Sequence, residues 1–240
     1  MSGHDQHAGF GKKLDQIAAK YPQSALIRTI VREGISWSFG TPFLGSMIDD
    51  AVTGVIGRRE SERVKHWLIN LDLAFQQLDD SKLDRSFLGS EEHIELFVAV
   101  AERVARSHQA EKHEALRNAF VNASCTDGST GPFKHIVVRL IGDLTVEHMR
   151  LLRIVTERDD TFTAEEREAN KDSTSIDDLT ASLPIMSRVD VEALASDLLS
   201  LGLLRDWTLG RYSSGQRRLF APSASCSRFV RFIANPAWMT

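Results

Sequence analysis

Residues 61–78 read SERVKHWLINLDLAFQQL, and within them Val64, Trp67, Leu68, Leu71, Phe75 and Leu78 recur at steps of three and four. That interval matches the turn of an α-helix, so the six side chains form one apolar stripe with polar residues such as His66 on the other side. A single striped helix cannot shield itself from water and needs partners. Residues 91–107 repeat the pattern with Ile94, Phe97, Val98, Ala101, Val104 and Ala105, and residues 111–122 add Leu116, Ala119 and Phe120. Three such stripes predict a helical bundle at the centre of a mainly α chain.

On the N-terminal side, residues 10–19 and 24–31 carry apolar side chains at helical intervals, clearest at Leu26, Ile27, Ile30 and Val31, with Tyr21-Pro22 dividing them. Residues 1–7 lack a basic-then-apolar signal pattern, and Ser2 stands where myristoylation requires glycine, so this end reads as a frayed tail. Residues 34–48 contain no charge and hold Trp37, Phe39, Phe43, Leu44, Met47 and Ile48 among Gly34, Gly40 and Gly45. A spanning helix needs about 20 apolar residues, and Asp49-Asp50 closes this run first. Two readings of the 34–57 segment follow. Phe43, Leu44, Met47, Ile48, Val52, Val55 and Ile56 form a buried helix whose glycines permit close approach. Alternatively, Phe43, Leu44, Met47 and Ile48 form a membrane or partner surface, with Arg58, Arg59, Arg63 and Lys65 meeting anionic headgroups.

On the C-terminal side, residues 126–132 (TDGSTGP) concentrate turn formers and mark a boundary. Residues 133–140 precede a helix at 145–157 with Val146, Met149, Leu152 and Val155 on its buried side. A polar insertion at about 159–173 contains Thr163-x-x-Glu166, a capping-box spacing. Two helices are then expected at 175–183 and 190–201, the second carrying Val191, Leu194, Ala195, Leu198 and Leu199 and stopping at Gly202. Residues 203–207 and 217–220 read as short strands around the turn-rich 210–215, and a last helix at 223–233 ends before Asn235-Pro236. Helix, helix, hairpin is the order of a winged-helix-like α+β module. The expected organisation is a tail and first helix at 1–23, a helical bundle at 24–125, a linker at 126–132 and a winged-helix-like domain at 133–236.

Bulk composition narrows the function. The 240 residues are 42% hydrophobic, enough for a core without disulfide staples, and Cys125 and Cys226 show no framework spacing. Reduced thiols in a cytoplasm are expected. The net charge of -4 excludes a global field that would hold the chain on nucleic acid, so any such binding needs a local patch.

Catalytic and cofactor patterns are absent from the sequence. Eight histidines invite a metal site, but His108 and His113 are five apart, so on one helix they diverge by about 140°, whereas paired ligands stand three or four apart. Beyond the tail, which holds His4 and His7, the imidazoles His66, His93, His135 and His148 are expected at the surface or in local hydrogen bonds. No Gly-x-Ser-x-Gly elbow occurs, and Cys125 follows a helix end, where the dipole disfavours a thiolate. The pairs Asp49-Asp50, Asp79-Asp80 and Asp177-Asp178 are adjacent and point apart on a helix rather than converging as an acid/base couple. No phosphate-cradling glycine motif is present. The reading is no catalytic residue, no metal and no cofactor.

A sharper signal lies in the C-terminal arginines. Arg205, Arg211, Arg217, Arg218, Arg228 and Arg231 face a single acid, Asp206, across residues 205–231, for a local balance of +5. Arg205, Arg211, Tyr212, Arg217 and Arg218 are therefore the candidate nucleic-acid or partner contacts of the wing. The helix that would enter the major groove argues otherwise. Residues 188–201 carry Asp190, Glu192 and Asp197 against Arg188, a net of -2, while base readout uses Arg, Lys, Asn or Gln. A wing in contact with protein, or arginines engaged by the module's own carboxylates, fits this charge pattern better.

Two segments also carry a resemblance. Thr41-Pro42-Phe43-Leu44-Gly45 leads into Arg58, Arg59, Arg63 and Trp67-Leu68, and Glu111-Lys112 opens a helix ending Asn118-Ala119-Phe120-Val121-Asn122. Across about residues 24–233 the chain resembles bacterial helical proteins of the abortive-infection alpha type. The resemblance implies a bacterial cytoplasm and a role in defence against phage, and it transfers no functional residue. The sequence therefore leads to a non-enzymatic regulatory or protein-interaction protein that binds another protein or its own copy. A winged-helix DNA-binding regulator and a membrane-active effector using residues 34–57 are the alternatives.

Overall fold

The computed structural model describes residues 58–88, 90–126, 131–161, 163, 173–206 and 218–235. The helices expected at 10–19 and 24–31, the 34–57 segment with Phe43, Leu44, Met47 and Ile48, most of the linker, most of the insertion, and Arg211, Tyr212 and Arg217 lie outside these residues, as do the side chains of Arg58 and Arg59. The protein is mainly helical, with a small three-stranded antiparallel sheet in its C-terminal part. The described chain divides into two compact units, the first running to Gly142 and taking in Asn235, the second spanning Asp143–Ala234, so the boundary falls past the turn-rich 126–132 run.

In the first unit, α1 (Arg58–Gln76) is followed by a 3-10 turn (Asp80–Lys82), α2 (Arg85–Leu88), α3 (Glu91–Arg106), α4 (Ala110–Ala123) and α5 (Phe133–Asp143). Residues 133–140, expected only as a lead-in, are part of that last helix. The stripe of α1 is buried at Val64, Trp67, Leu68 and Leu71, and Leu78 beyond its end is buried too. It meets Phe97, Val98, Ala101 and Val104 of α3 and Leu116, Ala119 and Phe120 of α4, all removed from solvent. Helix α3 starts at Ser90, whose hydroxyl accepts from the His93 amide, with Glu91 and Glu92 in its first turn and Arg103 and Arg106 in its last. Each charge sits at the dipole end that stabilises it. Two polar bonds tie α1 to its neighbours: Arg63 Nη2 donates to the Ala105 carbonyl at 2.6 Å, and Trp67 Nε1 donates to the His113 carbonyl at 3.2 Å. The Trp67 ring lies 6.1 Å from that of Phe97.

The second unit consists of α6 (Val146–Thr161), β1 (Thr174–Ser175), α7 (Ile176–Ser182), α8 (Arg188–Ser200), β2 (Leu204–Asp206), β3 (Leu219–Pro222) and α9 (Ala224–Ile233). Strand order is β1-β3-β2, with Thr174 opposite Phe220 and Arg205 opposite Ala221. The short strand β1 has no counterpart in the sequence reading, and β3, the central strand, starts two residues later than the 217–220 run suggests. Helix α6 lies at the centre, against α7, α8, α9 and β3. Leu151, Leu152, Val155, Ile176, Leu179, Val191, Ala195, Leu198, Phe220 and Phe229 are fully buried.

Gly202 ends α8 with φ of 68°. Its amide donates to the Leu199 carbonyl and the Leu203 amide to the Leu198 carbonyl, the paired bonds that let a helix stop and turn back. The chain thereby drops directly into β2.

Candidate interaction site on the second unit

Helices α7 and α8 form the corner that a groove-reading module would present. Both begin with a reciprocal cap. The Ser175 hydroxyl accepts from the Asp178 amide while Asp178 Oδ2 accepts from the Ser175 hydroxyl at 2.7 Å. Ser187 and Asp190 repeat the arrangement, with a hydroxyl bond of 2.6 Å. Asp178 also receives Arg158 Nη1 at 3.2 Å. The Ser175 hydroxyl, with the Arg158 guanidinium contributing less, holds the Asp178 carboxyl below its ordinary pKa.

Two other acids of this corner are also engaged. Arg188 Nη1 lies 2.7 Å from Asp177 Oδ1 and its Nε 3.0 Å from Glu192 Oε1, one guanidinium serving two carboxylates. Asp197 Oδ2 lies 3.5 Å from Nε2 of His148. On its other side that ring accepts from the Thr145 amide at 3.2 Å and meets the Thr145 hydroxyl at 2.9 Å. Asp190 and Glu192 of α8 are thus held by a cap and an arginine of their own unit, while Asp197 stays largely exposed. These exposed pairs add little to stability, but they fix where each charge points.

Two large apolar side chains stand exposed on either side of the Ser187 cap. Ile185, in the turn entering α8, is 94% exposed, and Val189, in the first turn of α8, is 73% exposed. Val191, Ala195 and Leu198 of the same helix are fully buried, so Val189 lies outside its core stripe. Sequence reasoning missed this pair. The signal was available, because the core phase set by Val191, Ala195 and Leu198 leaves Val189 facing out.

The predicted wing residues fare differently. Arg218 Nε lies 3.6 Å from Asp206 Oδ2, its Nη1 3.3 Å from the Ser196 hydroxyl, and its guanidinium carbon 5.5 Å from the Phe220 ring centroid. Arg205 Nε donates to the Pro222 carbonyl at 3.1 Å. Both side chains brace the hairpin. Arg211, Tyr212 and Arg217 lie outside the described residues, so of the five candidate contacts the structure describes Arg205 and Arg218, each bonded to its own partner.

One imidazole departs from expectation: His93 is buried at 4% exposure between aromatic rings, because the helix that carries it turns that position inward, whereas His148, also buried, bonds locally to Thr145 as expected. Cys125 and Cys226 are buried as well, and burial pushes the Cys226 thiol up to about 11. Among the described residues no cluster of His, Cys, Asp or Glu gathers as a metal would need, and no helix is long and apolar enough to cross a membrane. Compared with protein-family models, curated proteins and solved structures, the chain matches none.

Proposed function

We propose that the protein is a non-enzymatic regulatory or interaction protein whose second unit is a winged-helix-like module docking on another protein through the α7–α8 corner. The order of helix, strand, helix, helix and hairpin, with β3 between β1 and β2, supports the winged-helix reading. The observation that carries the docking is the exposure of Ile185 and Val189 where a nucleic-acid reader would present Arg, Lys, Asn or Gln. Covering an exposed aliphatic side chain is worth about 1.5–3 kcal/mol, so two form the centre of a usable protein contact. The net negative charge of residues 188–201 favours a protein occupant with an apolar, non-acidic surface over a polyanion.

The resemblance of residues 41–68 and 111–122 to abortive-infection proteins adds a bacterial, cytoplasmic setting and a link to phage defence. That part rests on the resemblance alone.

A photoreactive side chain at position 185 is expected to trap a discrete partner protein in a bacterial lysate. The purified partner should lose binding to the Ile185→Asp, Val189→Asp double variant at least tenfold, and keep it with Arg218→Ala. Unchanged affinity of the double variant refutes the reading. So does salt-sensitive retention of DNA that disappears with Arg218→Ala, which supports the DNA-binding alternative instead.

A further inference from the structure

The first unit contains a buried group that the interaction reading does not use. His93, in the first turn of α3, has its ring 5.3 Å from Phe87 of α2 and 5.0 Å from Phe120 of α4. Its Nε2 is buried and finds no hydrogen-bond partner. From α5 comes Lys134, itself buried, its Nζ 3.2 Å from the centroid of the Phe87 ring. The imidazole therefore faces two uncharged rings and one cation.

Neither carboxylate of the neighbourhood is available to it. Asp84 accepts from the Ser86 amide and hydroxyl and the Phe87 amide, capping α2. Glu92 lies 3.9 Å from His135 Nε2, and with Asp84 it favours the charged form of Lys134. A proton on His93 would thus place a second cation beside Lys134, in apolar surroundings, without a counter-ion.

We propose that His93 is an acid-operated latch: protonation of its imidazole opens the corner where α2, the start of α3, α4 and α5 meet, and exposes Phe87 and Phe120. Burial, with the Lys134 charge adding to it, pushes the imidazole down to about 4. The open corner lets the ring return to about 6.5. The sign follows from that difference. The closed corner is at full strength above pH 6.5 and weakens as pH falls from there toward 4, because the open form binds the proton more readily. Acid thereby uncovers an apolar surface on the first unit.

The test uses the full chain and peptide-resolved hydrogen exchange, corrected for the intrinsic rate at each pH. Between pH 7.5 and 5.5 the opening equilibrium of peptides covering 84–98 should rise about tenfold, while peptides of α8 do not follow. His93→Phe should abolish the rise, and so should His93→Gln, which keeps a polar side chain that does not titrate. In the unaltered protein the His93 ring should titrate well below 6.5 in an NMR titration, a readout that needs no variant to fold. An opening equilibrium that is flat with pH, a rise that persists in both variants, or a His93 ring titrating at 6.5 or above would overturn the proposal.

Discussion

Truncating Trp67 tests the packing on which the first unit depends. The indole is 2% exposed, lies against Phe97 of α3, and bonds through Nε1 to the His113 carbonyl of α4, so it joins three helices at once. Trp67→Ala empties a buried site that neighbouring helices fill only in part, at about 3–5 kcal/mol. The lost indole bond is worth about 1 kcal/mol of that. Trp67→Phe keeps a ring in place and should cost about 2 kcal/mol, divided between the missing bond and a smaller void. A domain's whole stability is about 5–15 kcal/mol, so the alanine variant sits near the edge of folding. Urea titration read by hydrogen exchange, peptide by peptide, separates the units. The loss should appear in α1, α3 and α4. A cost under about 1 kcal/mol for Trp67→Ala, or equal costs for the two variants, would refute the idea that the 61–78 stripe is the keystone of this bundle.

Two further outcomes concern the second unit. Ser175→Ala and Ser187→Ala each remove a reciprocal helix cap and should lower its unfolding free energy by about 1 kcal/mol, measured by the same urea series, with the first unit unchanged. The Cys226 thiol, buried and pushed up to about 11, should resist a thiol-specific reagent at pH 7.5 and react at the rate of an ordinary cysteine in denaturant; modification of the native chain at that rate counts against its packing beside Thr156.

What the sequence made legible was whatever repeats. Val64 through Leu78, Phe97 through Val104 and Val191 through Leu198 each announce a helix and its inner face, because a stripe several turns long has no other explanation. Short elements lack that redundancy. Thr174–Ser175 is a strand only because β3 is there to pair with it, and two residues have no period to read. Helix α2 is a single turn held by Asp84, again a feature of the loop rather than of a pattern. His93 has no second ligand at metal spacing and reads as a surface or locally bonded imidazole, yet at the start of α3 successive residues point in different directions and the third turns inward between two rings. The candidate site was half legible. The acidity of α8 and the engagement of arginines by nearby carboxylates follow from counting charges, whereas Ile185 belongs to a turn and its exposure depends on how two helices meet.

The position of β3 in the sheet has a consequence for synthesis. It is the last strand among the described residues, yet both other strands bond to it and α6 rests on it. During translation β1 and β2 therefore wait without a neighbour until Pro222 clears the ribosome, and α6 waits with part of its apolar face bare. The packing of α1, α3 and α4 in the first unit comes from segments that have emerged by Gly142 and can close early. A nascent chain stalled between those two points carries one finished body and one sticky one, so this is the interval in which a chaperone has most to cover.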